Sequence, residues 1–183
     1  MQGNGRVLVL VDCQQLFYSA RELSGEWARL DYQKLDKRVA ELVHGRDVVK
    51  VAFVAVSDQF DSSRFVTMLK ALGYRVKKKY VNLAAAAGGD GIRWSEWMTG
   101  EITSLLTDPY AAFVIASGSG GFLRLVESLV GGDNEVTMLS FKNRLNASFR
   151  ALTPVVELGV EDLLEERRRE KDACGTAPTN STS

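Results

Sequence analysis

Two cysteines, one histidine and three prolines are all that 183 residues contain of the side chains that most often close disulfides, hold soft metals or break helices. Cys13 stands in an apolar strand-to-helix junction and Cys174 in a polar tail. That separation excludes a disulfide framework and a Cys-x-x-Cys metal pair. His44, in an HGRD stretch that reads as a helix end, is the sole imidazole, which removes most of the support for zinc–imidazole sites and Ser-His-Asp triads. Any metal would be bound by oxygen. Long apolar runs are missing too: none approaches the about 18 residues that cross a bilayer, and residues 1–11 lack the basic start and small-residue cleavage site of a signal peptide. The expectation is a cytoplasmic protein with no membrane partner. Excess charge is also absent, with 23 basic and 23 acidic side chains, so no global basic field points to nucleic acid.

What the chain does have is a globular composition, 45% hydrophobic and 25% charged, over a length that suits one core. Apolar runs at 6–11, 48–56, 111–116, 135–141 and 154–158 read as strands. The first three are nearly continuous, as strands covered on both faces are. YRVKKKYV at 74–81 alternates and reads as a strand nearer an edge. Helical spacing fills the intervals: Leu16 to Leu23; Tyr32 to Leu42 after an N-cap at Asp31; SSRFVTMLKAL, capped by Asp61 or Ser62 and stopped at Gly73; Trp94 to Leu106; Phe122 to Val130; and Asn143 to Leu152. This alternation predicts a doubly wound α/β fold, a mostly parallel sheet flanked by helices over residues 1–160. A small-residue loop is expected at 83–91, a charged helix at 161–172 and a disordered tail at 173–183.

Open α/β sheets bind ligands beyond the carboxyl ends of their strands, so the residues that follow each strand matter most. Asp12 ends the first strand. A buried aspartate is costly unless it holds a cation or caps the next helix, and both readings stand. After the fourth strand comes SGSGG (117–121), which reads as a tight strand-to-helix turn or as a loop whose N–H groups face a phosphate; it lacks the Lys-Ser/Thr of a P-loop. Trp94 and Trp97, three apart on a helix, would pack in a core or stack on bases.

Taken together, these segments resemble NYN domains of the LabA-like branch, relatives of the PIN ribonucleases. VLVDCQQLF (9–17) is similar to the family's I-D-x-x-N, with Asp12 on the aspartate and Gln15 on the asparagine. RWSEWMTGEI (93–102) is similar to W-D-V with a second acid six residues after the first, which places Ser95 and Glu101 on the two acids. SGSGGF resembles S-G-D-x-D-F, with Ser119 and Gly121 on the aspartates. RFVTMLKALGYRVKKK (64–79) looks like F-x-x-x-L-x-x-x-G-Y-x-V.

The resemblance implies a carboxylate cluster that holds Mg²⁺ or Mn²⁺ and activates water against an RNA phosphodiester. Of its five acids this sequence keeps Asp12 and, as a longer side chain, Glu101, with Asp90 or Glu96 able to stand in for the acid missing at Ser95. Three readings follow. The first is an RNA-binding or regulatory module, its single-stranded RNA contacted by Gln15, Lys77, Lys79, Arg93, Lys142 and Arg144. The second is a weakened metal-dependent ribonuclease that uses Asp12 and Glu101. The third is a structural or protein-interaction module, a homodimer among its forms.

Overall fold

The structure is a computed structural model that describes residues 5–57, 62–81 and 90–164, the side chains of 90–93 excepted. Within these spans lie six strands: β1 (Val7–Asp12), β2 (Val48–Val56), β3 (Arg75–Tyr80), β4 (Ala112–Ala116), β5 (Glu135–Phe141) and β6 (Val155–Leu158). All neighbours pair in parallel, in the order β3-β2-β1-β4-β5-β6. The chain therefore leaves β1 in one direction for β2 and β3, then returns to the other side of β1 for β4. That reversal leaves a crevice at the carboxyl ends of β1 and β4.

Strand alternation sorts the core into two layers. Val7, Val9 and Val11 point to the layer of α1 (Cys13–Ser24), α2 (Tyr32–Val43) and α3 (Ser63–Ala71). Leu8 and Leu10 point to the layer of α4 (Asp90–Leu105), α5 (Leu123–Gly131) and α6 (Phe149–Leu152). Every residue of β1 and β4 is buried, as their unbroken apolar character requires. Asp12 is the next even position of β1 and so belongs to the α4–α5 layer.

The local signals hold at most helix ends. The Asp31 carboxylate caps α2 by accepting from the Gln33 and Lys34 N–H groups at 2.9 and 3.3 Å. His44 ends α2 in the left-handed conformation, φ 47°. Gly73 follows α3 at φ 85°, where a Cβ would be strained. β3 is an edge strand, as its alternating pattern predicts.

Two expectations change. The helix read over Asn143–Leu152 is instead a 3-10 turn at Lys142–Arg144 and the four-residue α6. The cause is local: the Asn146 N–H bonds to the Gly118 carbonyl at 3.0 Å rather than within a helix, and the Asn146 side chain accepts from the Ser148 N–H. At the other end, Val160–Asp162 form a 3-10 turn and Leu163 pairs with Leu30 in an antiparallel bridge. A charged helix does not begin at 161, because Asp162 is drawn into the body by Arg38, whose Nε donates to it at 3.0 Å. The remainder of that segment, the tail and most of the small-residue loop at 83–91 lie outside the described residues.

Candidate functional site

Asp12 is 1% exposed. One carboxylate oxygen accepts from the Gln15 N–H and from Trp94 Nε1, both at 3.0 Å, and the other accepts from the Ser117 hydroxyl at 3.2 Å. The aspartate thus caps α1, ties that helix to α4 through Trp94 and ties β1 to the end of β4. The Ser117 oxygen in turn accepts from the Ser119 N–H at 3.2 Å, so the turn after β4 is fixed through the same carboxylate. Burial pushes the Asp12 carboxyl above its ordinary value of 3.8, against the pull of the Gln15, Trp94 and Ser117 hydrogen bonds.

The three uncharged positions of the acid pattern do converge. Ser95, buried on α4, faces Gly121 in the turn after β4: a Cβ built at Gly121 would stand 2.5 Å from the Ser95 hydroxyl oxygen and 3.4 Å from that of Ser119. Glycine is required here by close approach. A Gly121→Asp change should therefore lower stability by about 1–3 kcal/mol, and pairing it with Ser95→Gly should recover most of the loss, measured by chemical denaturation of the two variants. If Gly121→Asp alone melts like wild type, the packing described is wrong.

Glu101 is not brought to Asp12. Its carboxylate pairs with Lys77 at 2.9 Å. The register runs from Asp12 through Phe53 to Lys77 across three strands, which puts the Lys77 backbone about two strand spacings, ~10 Å, from that of Asp12. Phe53, the register neighbour between them, is fully buried, its ring in edge contact with Trp97. Glu96 is exposed on α4; the side chains of Asp90 and Arg93 lie outside the described residues.

A hard divalent ion wants several accessible oxygens. Asp12 is enclosed and engaged by three protein donors, and among the described residues no three acidic, histidine or cysteine side chains are grouped to hold an ion. The described residues do not fit the metal that the resemblance implies.

The other candidate residues divide between two places. Lys77 and Lys79 share one face of β3, as alternation predicts, and both meet α4: Lys77 through Glu101, and Lys79 with its ammonium 5.7 Å from the Trp97 ring centroid. Gln15 and Arg144 instead line an open groove of about 500 Å³ beside the strand ends, together with Glu22, Gly118, Ser119 and Asn146. Lys142 is exposed in the same 3-10 turn as Arg144. Trp94 is buried, so it packs and donates to Asp12 rather than offering a face to bases.

Sequence reading left out Ser117 and Trp94 as partners of Asp12, and Glu22 and Asn146 as walls of the groove. Ser117 could have been found from its place directly after β4, beside Asp12 at the switch point. Glu22 and Asn146 carry no local signal, since only tertiary packing brings α1 and the turn after β5 together.

The sequence model of the NYN domain matches residues 6–156. The chain belongs to the NYN domain family, within the PIN-like nuclease superfamily. A crystal structure of a protein of unknown function from Vibrio parahaemolyticus is similar in fold, with a TM-score of 0.73 and 21% identity, over 90% of this chain and 100% of that one. No curated protein matches the sequence significantly.

Proposed function

We propose that this chain is a LabA-like NYN domain that binds single-stranded RNA without hydrolysing it. The supporting observation is the state of Asp12: the one acid of the pattern that stands at the switch point has both oxygens taken by Gln15, Trp94 and Ser117, while Ser95, Ser119 and Gly121, which meet at the turn that Ser117 ties to it, carry no charge. A cleft with fewer carboxylates repels phosphate less. Arg144 and Lys142 beside the groove, with Lys77 and Lys79 on the β3 edge, supply the cations that a phosphodiester chain needs. Asp12 then serves to hold the cleft's shape rather than to bind Mg²⁺ or Mn²⁺.

Fluorescence anisotropy with a short labelled single-stranded RNA tests this directly. Binding is expected at low salt, and each phosphate contact steepens its loss as salt rises. An Arg144→Glu variant should bind at least several-fold more weakly than wild type. Absence of any binding at low salt, accompanied by a concentration-dependent mass, would favour a protein-interaction module instead.

A further inference from the structure

The charged side chains lining the groove are Arg144 and Glu22, and they are paired with each other. Arg144 Nε donates to the Glu22 carboxylate across the rim, and the two side chains are 46% and 50% exposed. The backbone beneath Arg144 is held fast. Its carbonyl accepts from Gln15 Nε2 at 3.5 Å and lies in close contact with Gly118, and two residues on, the Asn146 N–H bonds back to the Gly118 carbonyl. Only the guanidinium is therefore free to change partners. Glu22 stands in the last turn of α1 (Cys13–Ser24), where the negative end of the helix dipole disfavours a carboxylate. Its location gains nothing from the helix; its favourable contact is Arg144.

We infer that Glu22 is a built-in competitor for the phosphate group that the groove takes: its carboxylate occupies Arg144 in the free protein, and an incoming phosphate displaces it. This inference rests on the RNA-binding reading and adds a specific brake to it. The guanidinium is suited to either partner, because its fork of N–H donors matches carboxylate and phosphate alike. A ligand that must first release an occupied arginine binds with an affinity reduced by the fraction of time the arginine is free. The pair is half exposed, so the brake is a modest one.

A double-mutant cycle on the full chain reads it out, with anisotropy of a short single-stranded RNA for wild type, Glu22→Gln, Arg144→Gln and the double variant. Glu22→Gln keeps the side chain's size and should tighten binding about two- to fivefold. In the Arg144→Gln background the same change should have almost no effect. Glu22→Ala serves as a second variant, and thermal melts followed by circular dichroism confirm that each protein is folded. Titration with inorganic phosphate forms a parallel arm. A gain with phosphate as large as with RNA assigns the groove to any phosphate anion, and a gain with RNA alone assigns it to the phosphodiester chain; both support the brake. If wild type binds RNA but Glu22→Gln does not tighten it, or tightens it equally without Arg144, the brake is overturned while RNA binding stands. If neither wild type nor Glu22→Gln binds RNA or phosphate at low salt, both fall together.

Discussion

Asp12→Ala should lower the free energy of unfolding by about 2–4 kcal/mol, and Asp12→Asn by roughly 1 kcal/mol, in denaturant titrations. The alanine change removes the cap of α1 and leaves the indole N–H of Trp94 and the hydroxyl of Ser117 without their buried acceptor. Asparagine keeps one oxygen for the Gln15 and Trp94 donors but turns an amide toward Ser117. The sign is the informative part. Carboxylates held for catalysis are strained by their neighbours, so replacing them commonly raises stability, whereas a carboxylate that joins α1, α4 and β4 loses stability when removed. pH dependence adds a second readout. The Asp12 pKa is raised in the folded state, so its contribution to stability is fully present below the ordinary 3.8 and is lost as pH rises through the folded value. The stability difference between wild type and Asp12→Asn should accordingly shrink as pH rises through that window.

Gly118→Ala should cost about 1–3 kcal/mol and weaken RNA binding at the same time. A Cβ at this position would press into the Arg144 carbonyl and stand 2.5 Å from the Ser140 hydroxyl oxygen. The first of these is backbone and cannot swing aside, so the 142–146 turn must move away from the end of β4. That movement would break the Asn146-to-Gly118 hydrogen bond at 3.0 Å and shift the wall carrying Arg144. Melting temperature and anisotropy should therefore fall together. Gly100, whose added Cβ would meet nothing within 4 Å, provides the matched control: alanine there should leave RNA affinity unchanged.

The fold was legible in the sequence because its strands are covered on both sides. VLVLV, AFVIA and VVKVAFVAV leave little choice but a buried parallel sheet, and the caps at Asp31, His44 and Gly73 stand where residue chemistry puts them. After β5, Leu145, Phe149 and Leu152 keep helical spacing, so the sequence alone suggests one helix there. The competing Asn146 bond to Gly118 comes from the turn after β4, some 28 residues earlier, and no local pattern carries it. The site was legible by position more than by role. Ser95, Ser119 and Gly121 stand together and Ser117 ties their turn to Asp12, whereas the Glu101 carboxylate pairs with Lys77 on an edge strand. Likewise, the pairing of Arg144 with Glu22 depends on α1 and the turn after β5 lying side by side, which periodicity does not reveal.

The central claim, that Asp12 holds the cleft together in a domain that binds RNA without cutting it, is tested most directly by incubating wild type and Asp12→Asn with end-labelled single-stranded RNA and Mn²⁺. The account predicts intact RNA in both reactions and a shifted RNA–protein complex with wild type. Mn²⁺-dependent cleavage by wild type that disappears in a folded Asp12→Asn protein would contradict it.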